Sequence, residues 1–372
     1  DADAEPTQAD PQDQPAGSDS TTESTVADTA SDIADETADD TADESGDDAA
    51  DESGDDTADE SIGAIDLGPL SPPWEPSISV ETIDGVRMVT HEAGVTEFPD
   101  DPQRILAVTG TAELQAMLAL DITPFAAAGD DDGLGGTIWQ SHLAPRLEGV
   151  EMLNSRRRAN LEQIASVAPD LIIGNINWIE QFSDELSQLA PTIALDYDGP
   201  WQDLFRDVAL LFDESDTAEA VIAAWEDDVR RLVAEWDGRL EGVTFSQLRL
   251  ISLSEFALYD DSVPAQILRR LGMVIPDEHD ITDAATELFS TERFDLLETD
   301  ALLIYRYPGA REDDGIAMLE AEPLYQQLGS VATDSVFQVD SRWWWLQGAI
   351  SAGLVVDDLE RIVPELAASL GR

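Results

Sequence analysis

Lysine and cysteine are absent from the 372 residues, histidine occurs three times, and all 19 basic residues are arginine, set against 80 acidic residues for a net charge of −61. Without cysteine there are no disulfide frameworks, thiol nucleophiles or cysteine-type zinc sites. So little positive charge excludes a nucleic-acid backbone as partner, because phosphates need a basic footprint. His91, His142 and His279 stand apart, and no pair has the spacing of a helix-borne metal site. No apolar run reaches the roughly 20 residues of a bilayer span. The first residues lack the apolar stretch of a signal peptide, so an exported form is expected to have lost its targeting segment already. Catalytic patterns are missing too: Ser254-Glu255 and Ser290-Thr291-Glu292 have no histidine placed by sequence to activate a nucleophile. Gly129-Asp130 and Gly133 to Gly136 complete no phosphate loop and read as a flexible surface loop. No catalytic residue and no protein-borne metal site is expected.

What is present divides sharply. Residues 1–75 hold 25 of the 80 acidic residues and no basic one, and their middle repeats every eight residues, as in ADESGDDA from Ala42 and ADESGDDT from Ala50. That period fits no stacking repeat. Before Ile62 only Val26 and Ile33 are large apolar residues, too few to offset chain entropy, so a disordered acidic linker is predicted over 1–75, closing at the proline-rich PLSPPWEP. The remainder still carries 55 acidic against 19 basic residues and is long enough for two lobes.

From Asp101 short apolar strands alternate with helical periods, as in parallel α/β sheets. Strands are expected at Arg104 to Thr109, Pro124 to Ala128, Asp170 to Gly174 and Pro191 to Leu195, with helices at Thr111 to Leu120, Asn160 to Val167 and Gln181 to Leu189. Val221, Trp225, Val229, Leu232, Trp236 and Leu240 recur at helical steps and mark one longer amphipathic connector. Alternation resumes through Leu248 to Leu253, Ala265 to Leu271, Asp300 to Tyr305 and Ser335 to Val339, and ends in a helix from about Gly348 to Leu366. The expected fold is α/β: two Rossmann-like lobes with parallel sheets joined by a single long rigid helix and preceded by the disordered acidic tail. The boundaries are 76–200 for the first lobe, 201–240 for the connector region and 241–372 for the second lobe. A ligand is expected in the crevice between the lobes.

Four stretches, in order, carry a resemblance. They are THEAGVTEFPDDPQRILAV (Thr90 to Val108), NLEQIASVAPDLIIG (Asn160 to Gly174), LSQLAPTIALD (Leu186 to Asp196) and FSTERFDLLETDALLIY (Phe289 to Tyr305). Together they resemble the iron-siderophore and cobalamin class of periplasmic binding proteins over about residues 86–366. The resemblance implies an extracytoplasmic substrate-binding protein of an ABC importer, two lobes on one rigid helix, capturing a ferric siderophore. Its partners would be a membrane permease with a cytoplasmic ATPase. It implies a monomer with no cofactor, since iron arrives wrapped in its chelator, and contact with the membrane only through a lipid anchor ahead of residue 1. The related manganese and zinc receptors use a cluster of histidines and carboxylates that this sequence does not show. A haem or corrinoid receptor of the same fold is the alternative ligand class. From other classes come a chelatase-like enzyme of tetrapyrrole synthesis, which would need a histidine presented in the crevice, and a surface sensor or adhesion protein.

Arg156, Arg157 and Arg158 form the one run of three basic residues, just before the Asn160 helix. Guanidinium groups suit an anionic chelate because they stay charged and offer planar donor forks. The resemblance adds that hydroxamate-siderophore relatives place a ligand-binding Arg where Arg156 stands. The bland reading is an acid-paired loop. Trp343, Trp344 and Trp345 follow a strand at the edge that should face the crevice, although alternation buries one or two of the three. Trp178, Tyr259, Arg306 and Tyr307 also fall just past strands, where core packing is the competing role. The resemblance further assigns Glu162 and Glu292, one per lobe, to docking on the permease, against plain helix capping as the alternative.

Overall fold

A computed structural model describes residues 69–131, 137–154, 160–250, 256–259, 262–276, 288–307, 310–345 and 348–372. The acidic repeats and Arg156 to Arg158 lie outside these described residues.

The chain opens with an antiparallel meander of β1 (Ser79–Ile83), β2 (Val86–His91) and β3 (Gly94–Pro99). Asp84 and Gly85 turn the first hairpin with both φ angles positive, 52° and 81°, the two-residue turn that matches the twist of paired strands. The expected strands begin only at Arg104, so this meander is an addition to the expected fold, although VRMVTH alternates as a half-buried strand should.

The first lobe follows: β4 (Ile105–Ala107), α1 (Ala112–Ala119), β5 (Ala126–Ala128), the short β6 (Asp130–Asp131) and β7 (Thr137–Ile138), and β8 (Glu151–Leu153). Then come α2 (Leu161–Ser166), β9 (Leu171–Asn175), α3 (Ile176–Ile179), α4 (Ser183–Leu189) and β10 (Thr192–Leu195). Five strands form one parallel sheet in the order β10-β9-β4-β5-β8. Helices α5 (Trp201–Leu211) and α6 (Ser215–Glu235) lead out of it. The 21-residue α6 is the long connector, shifted toward the N-terminus from its expected span. Trp236 and Leu240 stay buried in the turn beyond its end, where Gly238 takes φ 68°.

The second lobe holds β11 (Phe245–Leu250), β12 (Phe256–Leu258), α7 (Val263–Arg270), β13 (Ala301–Arg306), α8 (Ala310–Ala321), α9 (Gly329–Ala332), β14 (Val336–Asp340), α10 (Ser341–Trp344) and α11 (Ala349–Ser369). Its sheet runs β12-β11-β13-β14, parallel except for the edge strand β12.

Period-two burial decides where each strand's side chains go. Ile105 and Ala107 of β4, Leu171 and Ile173 of β9, and Ala301, Leu303 and Tyr305 of β13 all enter one large core shared by both lobes. Their neighbours Leu106 and Ile172 enter a core private to the first lobe, and Leu302 and Ile304 one private to the second. Helices α1, α5, α6, α7 and α11 fill the shared layer, with α11 against both α1 and α6. Gln115 of α1, fully buried, accepts hydrogen bonds from Ser351 N (2.9 Å) and Ser351 Oγ (2.7 Å) of α11. The backbone approaches so closely that a Cβ on Gly348 would sit 2.7 Å from the Gln115 side chain. Trp225 Nε1 of α6 donates to the Ala352 carbonyl at 3.2 Å, a second polar tie onto α11.

The folded part begins earlier than residue 76. Asp207 on α5 accepts from Trp74 Nε1 (3.2 Å), Ser77 N (3.2 Å) and Ser77 Oγ (2.5 Å), Gln202 donates to the Leu70 carbonyl (3.2 Å), and Arg270 donates to the Pro69 carbonyl (3.1 Å). Residues 69–75, assigned to the linker on composition, therefore strap the helical layer.

Two outcomes follow for thermal melting. Removing residues 1–68 is expected to leave the melting temperature unchanged, whereas removal through residue 78 strips the donors from Asp207 and lowers stability by about 2–3 kcal/mol. Gln115→Leu leaves Ser351 unpaired in the core and lowers stability by about 2 kcal/mol, several degrees for a fold of this size. Equal melting of the two truncations, or of Gln115→Leu and the parent, contradicts these assignments.

Candidate functional site

Residues just past the carboxyl ends of strands in both sheets meet. Asp130 follows β5, and its placement depends on Gly129, where a Cβ would lie 2.3 Å from Thr137 Cγ2. Tyr307 follows β13 in the other lobe, and its hydroxyl donates to Asp130 Oδ2. Gln140 Nε2 donates to the same oxygen at 3.3 Å. Burial and the Asp130 carboxylate push the Tyr307 phenol well above its ordinary range, so it remains a protonated donor. The segment read from sequence as a flexible surface loop thus carries, at Gly129-Asp130, a direct contact between the lobes. Residues 132–136 lie outside the described set.

His142 stands beside this contact. Its ring meets Trp343 of α10 edge-on at 5.7 Å between centroids. Burial, aided by the positive charges of Arg342 and Arg146 and opposed by Asp340 and Asp130, lowers its pKa to about 4. The imidazole is neutral at ordinary pH.

Three arginines of the second lobe come to this edge: Arg249 on β11, Arg306 at the end of β13 and Arg342 on α10. Arg342 is committed to Asp340, donating through Nε at 2.8 Å and through a second, short bond, while Asp340 also caps α10 through Arg342 N at 3.0 Å. Arg249 differs. Its guanidinium lies 3.7 Å above the centroid of Trp345 and donates to Tyr259 Oη at 3.0 Å, and among the described residues no carboxylate pairs with it. Stacked on an aromatic face at the carboxyl edge and, among the described residues, without a carboxylate partner, this cation can take an anion.

Of the residues singled out in the sequence, Tyr259, Arg306, Tyr307, Trp343 and Trp345 belong to this edge. Trp343 and Trp344 both donate their indole N–H to Asp358 Oδ2 at 2.8 Å, which ties α10 to α11. Trp344 is fully buried, edge-on to Tyr305 at 6.1 Å, so it is core and offers no surface to a ligand. Trp178, on α3 just past β9, packs on Phe182 at 5.0 Å against the first lobe's private core. Glu162 and Glu292 are both exposed, each in the first turn of its element. Asn160 caps α2 by accepting from Gln163 N at 3.1 Å, while Ser290 makes no side-chain cap. Both elements lead back into parallel strands, β9 and β13, so their first turns lie toward the carboxyl edges. Asp130, His142, Arg249 and Arg342 were missed. Arg249 left a faint signal as the one charged residue of the strand Phe245–Leu250.

Residues 106–343 match the periplasmic binding protein family. The chain belongs to that family. It is 29% identical over 286 residues to the "Probable siderophore-binding lipoprotein YfiY" of Bacillus subtilis, covering 74% of this chain and 86% of that one. It is 24% identical over 279 residues to the Fe(3+) dicitrate-binding periplasmic protein FecB of Escherichia coli, covering 74% and 89%. The structure of Staphylococcus aureus SirA complexed with staphyloferrin B superposes with a TM-score of 0.63 at 19% identity, over 74% of this chain and 98% of that one. The superposition on SirA is a likeness of fold and covers nearly all of that chain.

The His142 shift sets a pH dependence. Its folded pKa of about 4 lies below the ordinary 6.5, so unfolding takes up a proton between those values. Stability should fall as pH drops from about 6.5 to about 4 and be unaffected by this group above that window. His91, also lowered by burial, acts in the same direction. His142→Phe should flatten the decline in melting temperature across this range; an identical profile for variant and parent would place the titration elsewhere.

Proposed function

We propose that the chain is the extracytoplasmic substrate-binding component of an ABC importer and captures a ferric chelate of the anionic, siderophore or citrate type between its lobes. The observation that carries the ligand class is Arg249. A stacked guanidinium that has no carboxylate partner among the described residues, on a strand next to the one that ends at Arg306, favours an anionic chelate over a neutral one. Tyr259, Tyr307, Trp343 and Trp345 add flat surface for the chelator's body. YfiY and FecB, by their names, bind ligands of these two kinds, which supports the same class here. Arg156 to Arg158 are proposed to complete the positive face from the first lobe. The protein performs no chemistry on the ligand: iron is cargo, and the lobes hold and present it.

Delivery would be to a permease with a cytoplasmic ATPase, docked through Glu162 and Glu292, one exposed carboxylate toward the carboxyl edge of each lobe. The receptor would act as a monomer, tethered at the cell surface by a lipid group ahead of residue 1, with the acidic segment as spacer. A self-repelling acidic chain extends and suits that role.

Titration of tryptophan emission with ferric dicitrate and ferric staphyloferrin B is expected to show quenching, and Arg249→Gln should weaken binding about 10- to 100-fold, the worth of a charge-assisted hydrogen bond. Unchanged affinity in Arg249→Gln would remove the basis for the anionic class. Glu162→Ala with Glu292→Ala should leave ligand affinity and melting intact while cutting uptake or stimulation of the transporter ATPase. A control pair, Glu235→Ala with Glu365→Ala on the helical layer, should not. Equal losses in both pairs would mean that bulk acidity governs docking.

A further inference from the structure

Among the described residues, two buried polar groups near the lobe contact lack the partners that native interiors normally supply. Neither ring nitrogen of His142 has a hydrogen-bond partner, and neither does Oε1 of Gln140, two residues earlier. Gln140 spends its amide on Asp130, which also accepts from Tyr307. Asp340 is occupied by Arg342. The acceptors around His142 are therefore engaged by other donors, and its neutral ring presents a spare N–H and a spare lone pair. The edge of Trp343 packs against the ring, so its position is set by the second lobe as well as the first.

We propose that His142 is a ligand-contacting residue whose imidazole N–H donates a hydrogen bond to an anionic oxygen of the ferric chelate, with Gln140 Oε1 accepting from a hydroxyl or amide of the same ligand. This rests on the receptor reading above. The charges facing the ring are Arg342 and Asp340 from the second lobe and Arg146 and Asp130 from the first. Burial above all, with the two arginines in support, keeps the ring unprotonated, so the donor is available without a positive charge on the ring itself. Because Tyr307 bridges to Asp130 beside it, ligand entry must part that contact, and the polar groups left behind are those the ligand would satisfy. A histidine kept only to fill space has no reason to leave both nitrogens and a neighbouring amide oxygen unpaired. Phenylalanine would fill the volume at no polar penalty.

The opposition between fold and function gives the test, made on the full chain with His142→Phe and His142→Gln. Fluorescence titrations use ferric dicitrate, ferric staphyloferrin B and a ferric tris-hydroxamate. In parallel, the gallium(III) forms are followed by proton–carbon spectra of the imidazole rings, which are few enough in a chain with three histidines to assign by substitution. His142→Phe is expected to weaken binding of the chelate that the parent captures by tenfold or more, while melting at or above the parent's temperature at neutral pH. His142→Gln, which keeps a donor, should fall between the two. The resonance missing from His142→Phe should be one that saturating gallium chelate shifts. Binding by His142→Phe within twofold of the parent, or a His142 resonance that the gallium chelate leaves in place, overturns the proposal and leaves the receptor reading intact. A parent that captures none of the three chelates overturns that reading and this one with it. Should His142→Phe melt well below the parent, the glutamine variant and the ring resonance still decide.

Discussion

Gln115 is sealed in the shared core, and its single side-chain oxygen takes both the backbone and the hydroxyl hydrogen of Ser351. That contact fixes where the C-terminal helix begins against the first lobe. The helix belongs by sequence to the second lobe, yet it packs on α1 and α6 at once, so the apolar layer has no seam between the lobes. A buried amide that is satisfied in one register and unsatisfied in its neighbours costs more to misplace than an apolar contact does. The relative position of the two sheets, and with it the meeting of Asp130 with Tyr307, follows from how this layer is registered. Such a continuous core accords with a receptor whose lobes shift little, in contrast to folds whose halves are joined only by loops.

Charge sets the second constraint. With 80 acidic residues and 19 arginines, several guanidinium groups take an acid. Arg87 pairs with Asp100 and Asp213, Arg206 with Glu219, and Arg230 with Glu226 and Asp227, contacts that serve the fold. Even a buried acid can serve the fold alone. Glu113, fully buried at the start of α1, accepts from the backbone N–H groups of Thr109 (3.0 Å), Gly110 (2.6 Å) and Thr111 (3.2 Å) and from the Tyr197 hydroxyl, so it locks the β4–α1 turn. Arg249 is held on aromatic surface, as Arg104 is on Phe125 and Arg239 on Trp236, and differs from those two in standing at the carboxyl end of a strand, β11.

The parallel strands were legible because burial on both faces leaves continuous apolar runs such as Asp170-Leu-Ile-Ile-Gly174. The connector helix was legible from its period, although its ends were not, since Trp236 and Leu240 continue the apolar pattern into the turn after α6. The β1–β3 meander escaped notice because its alternation is short and its pairing partners are set by two turns, not by composition. The strap from Pro69 to Ser77 escaped for a related reason: proline-rich sequence reads as linker, and Asp207, Gln202 and Arg270, all more than 120 residues away, give it a place. In the crevice, residues just past strands could be nominated by position, which brought Tyr259, Arg306, Tyr307, Trp343 and Trp345 into view. It brought Trp344 as well, because the sequence does not say which of three adjacent indoles turns inward. His142 and Asp130 carry no local pattern at all. Their role appears only when the two lobes are brought together.

One ferric chelate is proposed to sit between the lobes, at the edge that carries Asp130, His142, Arg249, Arg342 and Trp345. Anomalous diffraction at the iron absorption edge, from crystals of the protein grown with a ferric chelate it binds in solution, tests this most directly. A single strong iron peak is expected between the two carboxyl edges. Iron found only along the acidic outer surface, with none between the lobes, would contradict it.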